Sequence, residues 1–327
     1  MFLRHRLLLA CWAPAVLAFA GACAAQEIID VKEAAKDPDF AIQGEYVGEG
    51  VAEDGARGKV GAQVVALGEG KFDVYVLIGG LPGDGWTPDQ DRIRLSAIRD
   101  GEAVKIEGEG AVGEIKGGVM TLRKGDAKAE LKRTERKSPT LGKKPPEGAV
   151  VLFDGKSGDA FEGARLTEDG AMLSDVISKQ KFNDYHLHLE FRLSWMPKAR
   201  GQARSNSGVY LHDCYEVQVL DSFGLTGEDN ECGGIYKVKK PDVNMCLPPL
   251  TWQTYDIDFT APKYEDGKKV ANARLTLRHN GVVIHEDLEL PGATPGRQGE
   301  GPGPRPLYLQ GHGNKVVYGN IWLVPKP

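Results

Sequence analysis

Tyr215-Glu216-Val217-Gln218-Val219-Leu220-Asp221 alternates polar and apolar side chains with a period of two, the pattern of a β-strand with one wet face. Side chains two apart share a face, so Glu216 and Gln218 point the same way. Asp221 joins them only if a one-residue bulge precedes it, a device that often re-aims side chains at active sites. Two carboxylates flanking a carboxamide on one sheet face suit proton transfer and hydrogen bonding to ligand hydroxyls. The plain alternative is a solvated strand face.

The same period runs through Phe182–Leu193. It places His186, His188, Glu190 and Arg192 on one face and Leu187, Leu189, Phe191 and Leu193 on the other. A sheet that packs its apolar face inward leaves the polar face for ligand. Glu190 and Glu216 are therefore both expected on a concave polar face. Arg274 to His285 reads as a hairpin, because Asn280-Gly281 fits a type I′ turn. The Pro/Gly-rich stretch between Leu290 and Leu307 is long for a structureless loop and is expected at the rim of a site.

A first unit precedes this one. Gly44–Gly48, Val60–Leu67, Lys71–Leu77, Arg92–Ile98, Val104–Gly108, Glu114–Ile115 and Gly118–Arg123 read as successive strands with Gly-rich turns. They predict a small antiparallel β meander over 26–137, as a closed or half-closed barrel. Trp86 in its Gly-rich loop reads as a cap on the sheet's hydrophobic end, with stacking on a sugar as the alternative. Residues 138–147 contain Pro139, Pro145 and Pro146 and read as a stiff, extended linker. The second unit spans 148–327.

With 327 residues, 42 Gly and 19 Pro, the chain suits two β-rich units. The net charge of -5, without a dense Lys/Arg run, argues against a nucleic-acid partner. Residues 1–25 have the form of a secretory signal. Arg4, His5 and Arg6 are basic, Leu7 to Ala20 is apolar but too short to span a bilayer comfortably, and small residues follow. An exported protein, periplasmic or extracellular, is expected. Ala20-Gly21-Ala22-Cys23 also resembles a degenerate lipidation site, so a lipid anchor at Cys23 stays open. No other stretch is long and apolar enough to cross a bilayer. Export permits a disulfide between Cys232 and Cys246, whereas Cys214 reads as a buried small residue.

Asn206-Ser207-Gly208-Val209-Tyr210-Leu211, Cys232-Gly233-Gly234-Ile235-Tyr236, Trp252-Gln253-Thr254-Tyr255-Asp256-Ile257, His279-Asn280-Gly281-Val282, Leu309-Gln310-Gly311-His312-Gly313 and Val317-Tyr318-Gly319-Asn320-Ile321-Trp322 follow in order around the Glu216 strand. Together they resemble the 3-keto-disaccharide hydrolase family, from about Gly148 to Val324. The resemblance implies an all-β fold, a concanavalin A-like β-sandwich (jelly roll), preceded here by the small antiparallel β domain. It implies action on 3-keto-glycosides, by hydrolysis or by elimination across C1–C2, and a metabolic link to a sugar 3-dehydrogenase. The E-x-Q-x-x-D spacing is also similar to the E-x-D-x-x-E strand of laminarinase-type glucanases. Gln218 and Asp221 depart from that pattern, which puts a double-displacement mechanism in question.

A 3-keto sugar is weak at C2, because the C3 carbonyl acidifies that proton. Its cleavage needs a base near C2, an electrophile for the C3 oxygen and an acid for the leaving group. Glu190 and Glu216 are the leading carboxylates. His312, flanked by Gly311 and Gly313, is the leading histidine, as base, acid or metal ligand. A surface histidine is the alternative. Asn206, Gln218, Asp221, Arg192 and Gln310 are the substrate-binding candidates, although Asn206 also suits a turn and Arg192 a structural ion pair. His212 is expected to share the outward face with Tyr210. Glu, Asp and His on one face also suit a divalent metal ion, but no spacing defines such a site. Two other functions stay open. One is a non-catalytic, lectin-like carbohydrate-binding protein; the other is a hydrolase of unoxidised glucans.

Overall fold

The computed structural model describes residues 26–326. The signal segment and Cys23 lie outside the described residues. Eight antiparallel strands come first: Gly44–Val51, Arg57–Gly68, Lys71–Ile78, Arg92–Asp100, Ala103–Gly108, Ala111–Lys116, Val119–Lys124 and Ala127–Thr134. The last pairs with the first, so the meander closes into a barrel and buries its edges. The eighth strand escapes sequence reading because its inward positions include Ala127 and Ala129, which give a weak apolar signal. One barrel end is filled by Tyr46, Phe72, Met120 and Leu131, and closed by Ala34, Phe40 and Trp195. Ala34 arrives on a short helix, Val31–Ala34, whose first turn is capped where the Asp30 side chain accepts from the Glu33 N–H at 2.8 Å. Trp86 is buried against Leu77 and Leu81 and donates to the Asp91 carbonyl at 3.2 Å. It covers the outward-facing Leu77 of the barrel wall, in a small cluster separate from the barrel core, and so does not cap the end of the sheet.

The second unit is a sandwich of two sheets. The back sheet runs Val150–Phe153, Val317–Pro325, Tyr185–Arg192, Trp252–Thr260, Ala273–His279, Val282–Leu290. The front sheet runs Phe161–Glu162, Val176–Phe182, Arg305–Leu309, Asn206–Leu211, Tyr215–Leu220. Leu187, Leu189 and Phe191 from the back meet Val209, Val217 and Val219 from the front in one core. Because side chains alternate, His188 and Glu190 leave the sandwich on one side and Glu216 and Gln218 on the other. Asn280 and Gly281 have φ of 50° and 81°, as a type I′ turn requires. The edge strand Tyr215–Leu220 is covered by Gly233–Tyr236, through Gln218 N to Gly234 O at 2.8 Å and Tyr236 N to Glu216 O at 3.2 Å.

Barrel and sandwich share apolar contacts. Trp195 and Leu250 join the barrel core, and Val65 and Tyr75 join the sandwich core. Gly224 has φ +77°, and a Cβ there would overlap Val65 Cγ2. Arg92 lies over the Tyr75 ring, 3.8 Å from its centroid, and donates to the Gly224 carbonyl. The barrel wall thus clamps the segment that follows the Glu216 strand.

The linker is not the extended spacer its prolines suggest. It is strapped across the outer face of the back sheet, because that face offers buried acceptors. Thr140 Oγ1 donates to Asp256 Oδ2 at 2.7 Å, and Gly142 N donates to Glu190 Oε1 at 2.6 Å. The Lys143 carbonyl accepts from Asn320 Nδ2 at 3.0 Å and from Trp322 Nε1 at 3.2 Å. His188, stacked on Trp322, sits beneath, 2.9 Å from Asp256 Oδ1 and 3.5 Å from Glu190 Oε1. Burial opposes the charge on this imidazole, but hydrogen bonds to Asp256 and Glu190 outweigh it and raise the His188 pKa. Burial likewise opposes charge on Glu190 and Asp256, but their hydrogen bonds, led by those from His188, hold both carboxyls low.

The carboxylates' contribution is present above their unfolded values of about 4 and is lost as pH falls through the lower folded values. The imidazolium's is full below its unfolded value of about 6.5 and is lost as pH rises through the raised folded value. The protection of the Gly142 amide, its exchange rate relative to that of the unfolded chain at the same pH, is therefore expected to be greatest between about pH 4.5 and 6.5. Glu190→Gln should flatten the acid limb and His188→Asn the alkaline limb. A pH-independent intrinsic protection would contradict this clasp.

Candidate active site on the front sheet

Strands Asn206–Leu211 and Tyr215–Leu220 pair without a break, from Asn206 opposite Leu220 to Leu211 opposite Tyr215. No bulge precedes Asp221, so Leu220 rather than Asp221 continues the row of Glu216 and Gln218. Asp221 instead forms a buried ion pair with Arg204, Nε to Oδ2 at 2.6 Å, and accepts from Phe223 N at 3.3 Å. The outward row that does form carries Asn206, Gly208 and Tyr210 opposite Leu220, Gln218 and Glu216. Tyr308 lies beside Tyr210 on the next strand. Gln310 follows, with its backbone N donating to Gly208 O at 2.8 Å.

Glu216 is 3% exposed. Its Oε2 accepts from Tyr210 Oη at 2.7 Å. Its Oε1 lies over Gly208, where a Cβ would overlap that oxygen and sit 3.0 Å from Cγ. Gly208 is thus the space the carboxylate occupies. Burial pushes the Glu216 pKa up to about 7, while the Tyr210 hydrogen bond pulls the other way. Burial, followed by the neighbouring Glu216 charge, holds Tyr210 well above the ordinary phenol range, so it stays a proton donor. A carboxyl poised near neutrality, oriented by a fixed donor, is suited to take or give a proton.

Amides surround this pair. The Gln218 carboxamide lies 2.9 Å from Glu216 Oε1, 3.2 Å from Asn206 Oδ1 and 3.1 Å from Gln202 Oε1. Asn206 is held in turn by the Gln202 carbonyl at 2.9 Å. Gln310 Nε2 is 3.4 Å from Tyr210 Oη, and its Oε1 is buried without a partner. An unsatisfied buried acceptor is costly unless a ligand donor meets it. The Pro/Gly-rich loop does form the rim. Thr294 Oγ1 accepts from Glu216 N at 2.8 Å, and the Pro295 carbonyl faces Tyr210 Oη at 3.4 Å. Arg297 stacks on the Tyr308 ring, 3.9 Å from the centroid, and pairs with Asp213 at 2.5 Å.

The structure brings together Glu216, Gln218, Asn206 and Gln310. His312 is exposed, between Gln310 and Asn314, both of which touch the strand bearing Asn206 and Gly208. Glu190 does not join them. The shared core forces it to the opposite face, under the linker, where it accepts from Gly142 and Asn320. Arg192 shares that far face, pairs with Asp169 at 2.8 Å and lies over Trp252, 5.0 Å from its ring centroid. His212, with φ +53°, turns out of the strand. It packs on Phe259 and binds the Phe182 carbonyl at 2.7 Å, so it does not share Tyr210's face. Cys214, Cys232 and Cys246 are buried free thiols, and no disulfide joins Cys232 to Cys246. Among the described residues no group of three or more His, Cys, Asp or Glu is arranged to hold a metal ion. No described helix is long and apolar enough to cross a membrane.

Sequence reading missed Tyr210 as the partner of Glu216, Gly208 as its cradle, and Gln202 and Arg297 altogether. Tyr210 and Gly208 were findable, since Asn206–Leu211 alternates and precedes Glu216 by one short turn. Gln202 and Arg297 lie in irregular segments where no period assigns a face.

A solved candidate glycosyl hydrolase from Parabacteroides distasonis ATCC 8503 is similar at 32% identity and TM-score 0.50, over 55% of this chain and 85% of that chain. A second, also a candidate glycosyl hydrolase from that organism, matches at 18% identity and TM-score 0.38, over 55% and 95%. Among curated proteins no relative matches. The 3-keto-alpha-glucoside-1,2-lyase-like domain matches residues 148–324, more than half of the chain. With the all-β sandwich around those residues, the chain belongs to the 3-keto-alpha-glucoside-1,2-lyase-like domain family.

Proposed function

We propose that this chain is an exported carbohydrate-active enzyme that cleaves 3-keto-glycosides, with Glu216 as the base. The observation that carries this reading is the buried Glu216 carboxyl, poised near 7 on the front sheet and held by Tyr210. Glu216 takes the C2 proton, and the C–H electron pair becomes the C2–C3 double bond of an enolate. When the C3 carbonyl reforms, a C1–C2 double bond forms and the C1–O bond breaks. The leaving oxygen departs with its electron pair and takes a proton. Addition of water across C1–C2 gives net hydrolysis, so elimination and hydrolysis share the first step. Tyr210 holds the carboxylate in one orientation, and the unpartnered Gln310 oxygen suits a sugar hydroxyl. His312 and Arg297 stand at the rim as the groups that meet the leaving group or the carbonyl oxygen.

Glu216→Gln should lower kcat on a 3-keto-glucoside by about 10²–10⁴-fold while ligand binding persists. Glu190→Gln, on the far face, should leave kcat within about twofold of wild type. In deuterated water the hydrolysis product should carry deuterium at C2, whereas the elimination product has no hydrogen on that carbon. A change confined to affinity in Glu216→Gln would point to a lectin-like protein. Cleavage of unmodified laminarin would point to an ordinary glucanase.

The raised carboxyl must be ionised to accept a proton, so kcat/KM should rise with pH through about 7. Tyr210→Phe removes the hydrogen bond that favours the carboxylate, so this limb should move to higher pH. An unmoved limb would mean that another group sets it.

Gly208→Ala places a methyl where Glu216 Oε1 now lies. Overpacking of this kind costs about 1–3 kcal/mol, and the carboxylate must swing away. Activity should fall at least about tenfold while the thermal transition stays cooperative. Full activity in this variant would show that the position of Glu216 is not critical.

A further inference from the structure

The barrel is filled at one end and open at the other. At the open end lies a cavity of about 420 Å³, within the roughly 300–1,000 Å³ range of small-molecule sites. Its wall is apolar: Val60, Val76, Ile78, Ile93, Leu95 and Leu122. All occupy the inward register, two or four residues from core positions on the same strands. Among them, Gly58, Ala111 and Ala129 also point inward but are small, and the space they leave is the cavity. Ile78 is 43% exposed at the mouth, an unusual place for a large aliphatic side chain on a strand that otherwise buries this face. Eight strands make a barrel wide enough either to fill with side chains or to hold one small ligand. Helix Val31–Ala34 and Trp195 plug the far end. No equivalent plug covers this end among the described residues.

The mouth has a charge bias. Arg57, Lys59, Arg123, Lys124 and Lys128 line it, against Glu109 as the one acid of the lining. Lys59 is paired with Asp84 at 2.7 Å. The other four make no ion pair among the described residues. Lys124 continues the inward register of Met120 and Leu122, so it is the cation stationed directly above the apolar wall. An apolar cavity with a cation at its lip is complementary to an apolar chain that ends in an anion.

We propose that the open end of the barrel binds a free medium-chain carboxylate, with the alkyl chain among Val60, Val76, Leu95 and Leu122 and the carboxylate at Lys124. This site is independent of the front-sheet chemistry and stands whether or not the proposed cleavage is correct.

The test is calorimetric titration of the full protein with decanoate and, separately, with decanol. Saturable one-to-one binding of decanoate, tighter than decanol, is expected. Ala129→Phe should weaken both ligands at least tenfold by filling the cavity. Lys124→Glu should weaken decanoate at least fivefold and leave decanol within twofold. If Ala129→Phe perturbs folding, by thermal transition, the Lys124→Glu contrast decides alone. Sedimentation with phosphatidylglycerol vesicles separates a free carboxylate from a lipid surface. No saturable decanoate binding, equal loss of both ligands in Lys124→Glu, or vesicle binding without decanoate binding would each overturn the proposal.

Discussion

Leu187, Leu189 and Phe191 pack against Val209, Val217 and Val219, and the opposite faces on which Glu190 and Glu216 emerge follow from that contact. Each of these strands buries alternate side chains in one core. The carboxylates and amides of these strands then face outward, in opposite directions from the two sheets, whereas the inward Ser207 is met by Tyr318 Oη at 2.7 Å. A shift of one residue in either strand would move its whole apolar set into solvent. The core therefore fixes which carboxylates can meet, and it separates Glu190 from Glu216.

The two outer faces have been put to different uses. On the back, Glu190 accepts from the linker backbone at Gly142 and Asp256 accepts from Thr140, while His188 lies between the two carboxylates and bonds both. These charges are satisfied, and the face is covered. On the front, Glu216 is buried with one strong donor and a raised pKa, and Gln310 Oε1 has no partner at all. Satisfied polar clusters rigidify a fold, whereas an unsatisfied acceptor beside a poised carboxyl is what a binding site leaves for its ligand. The barrel supports this asymmetry from outside, because Val65, Tyr75 and Arg92 brace the turn at Gly224 that follows the Glu216 strand.

Much of the architecture was legible in the sequence because its signals are local. Period-two alternation located the Glu216 and Glu190 strands, and Asn280-Gly281 located a type I′ hairpin. Which outer face each strand would present was not legible, since alternation gives two faces but not the sheet to which they belong. Asp221 could join the Glu216 row only through a bulge; none forms, and Arg204 gives that carboxylate a buried partner instead. The linker was misread because proline predicts stiffness but not the acceptors waiting on a distant sheet. The strand Ala127–Thr134 was missed because alanine at its inward positions hides the period, and the same small residues leave the cavity at the barrel mouth.

The most direct measurement of the central claim is the titration of Glu216 itself, by carbon NMR of the protein labelled at its glutamate side-chain carboxyls, with Glu216→Gln to assign the resonance. The account predicts one carboxyl titrating near 7 that disappears in the variant. A Glu216 resonance titrating at about 4.3, the value for an unperturbed glutamate, would contradict it.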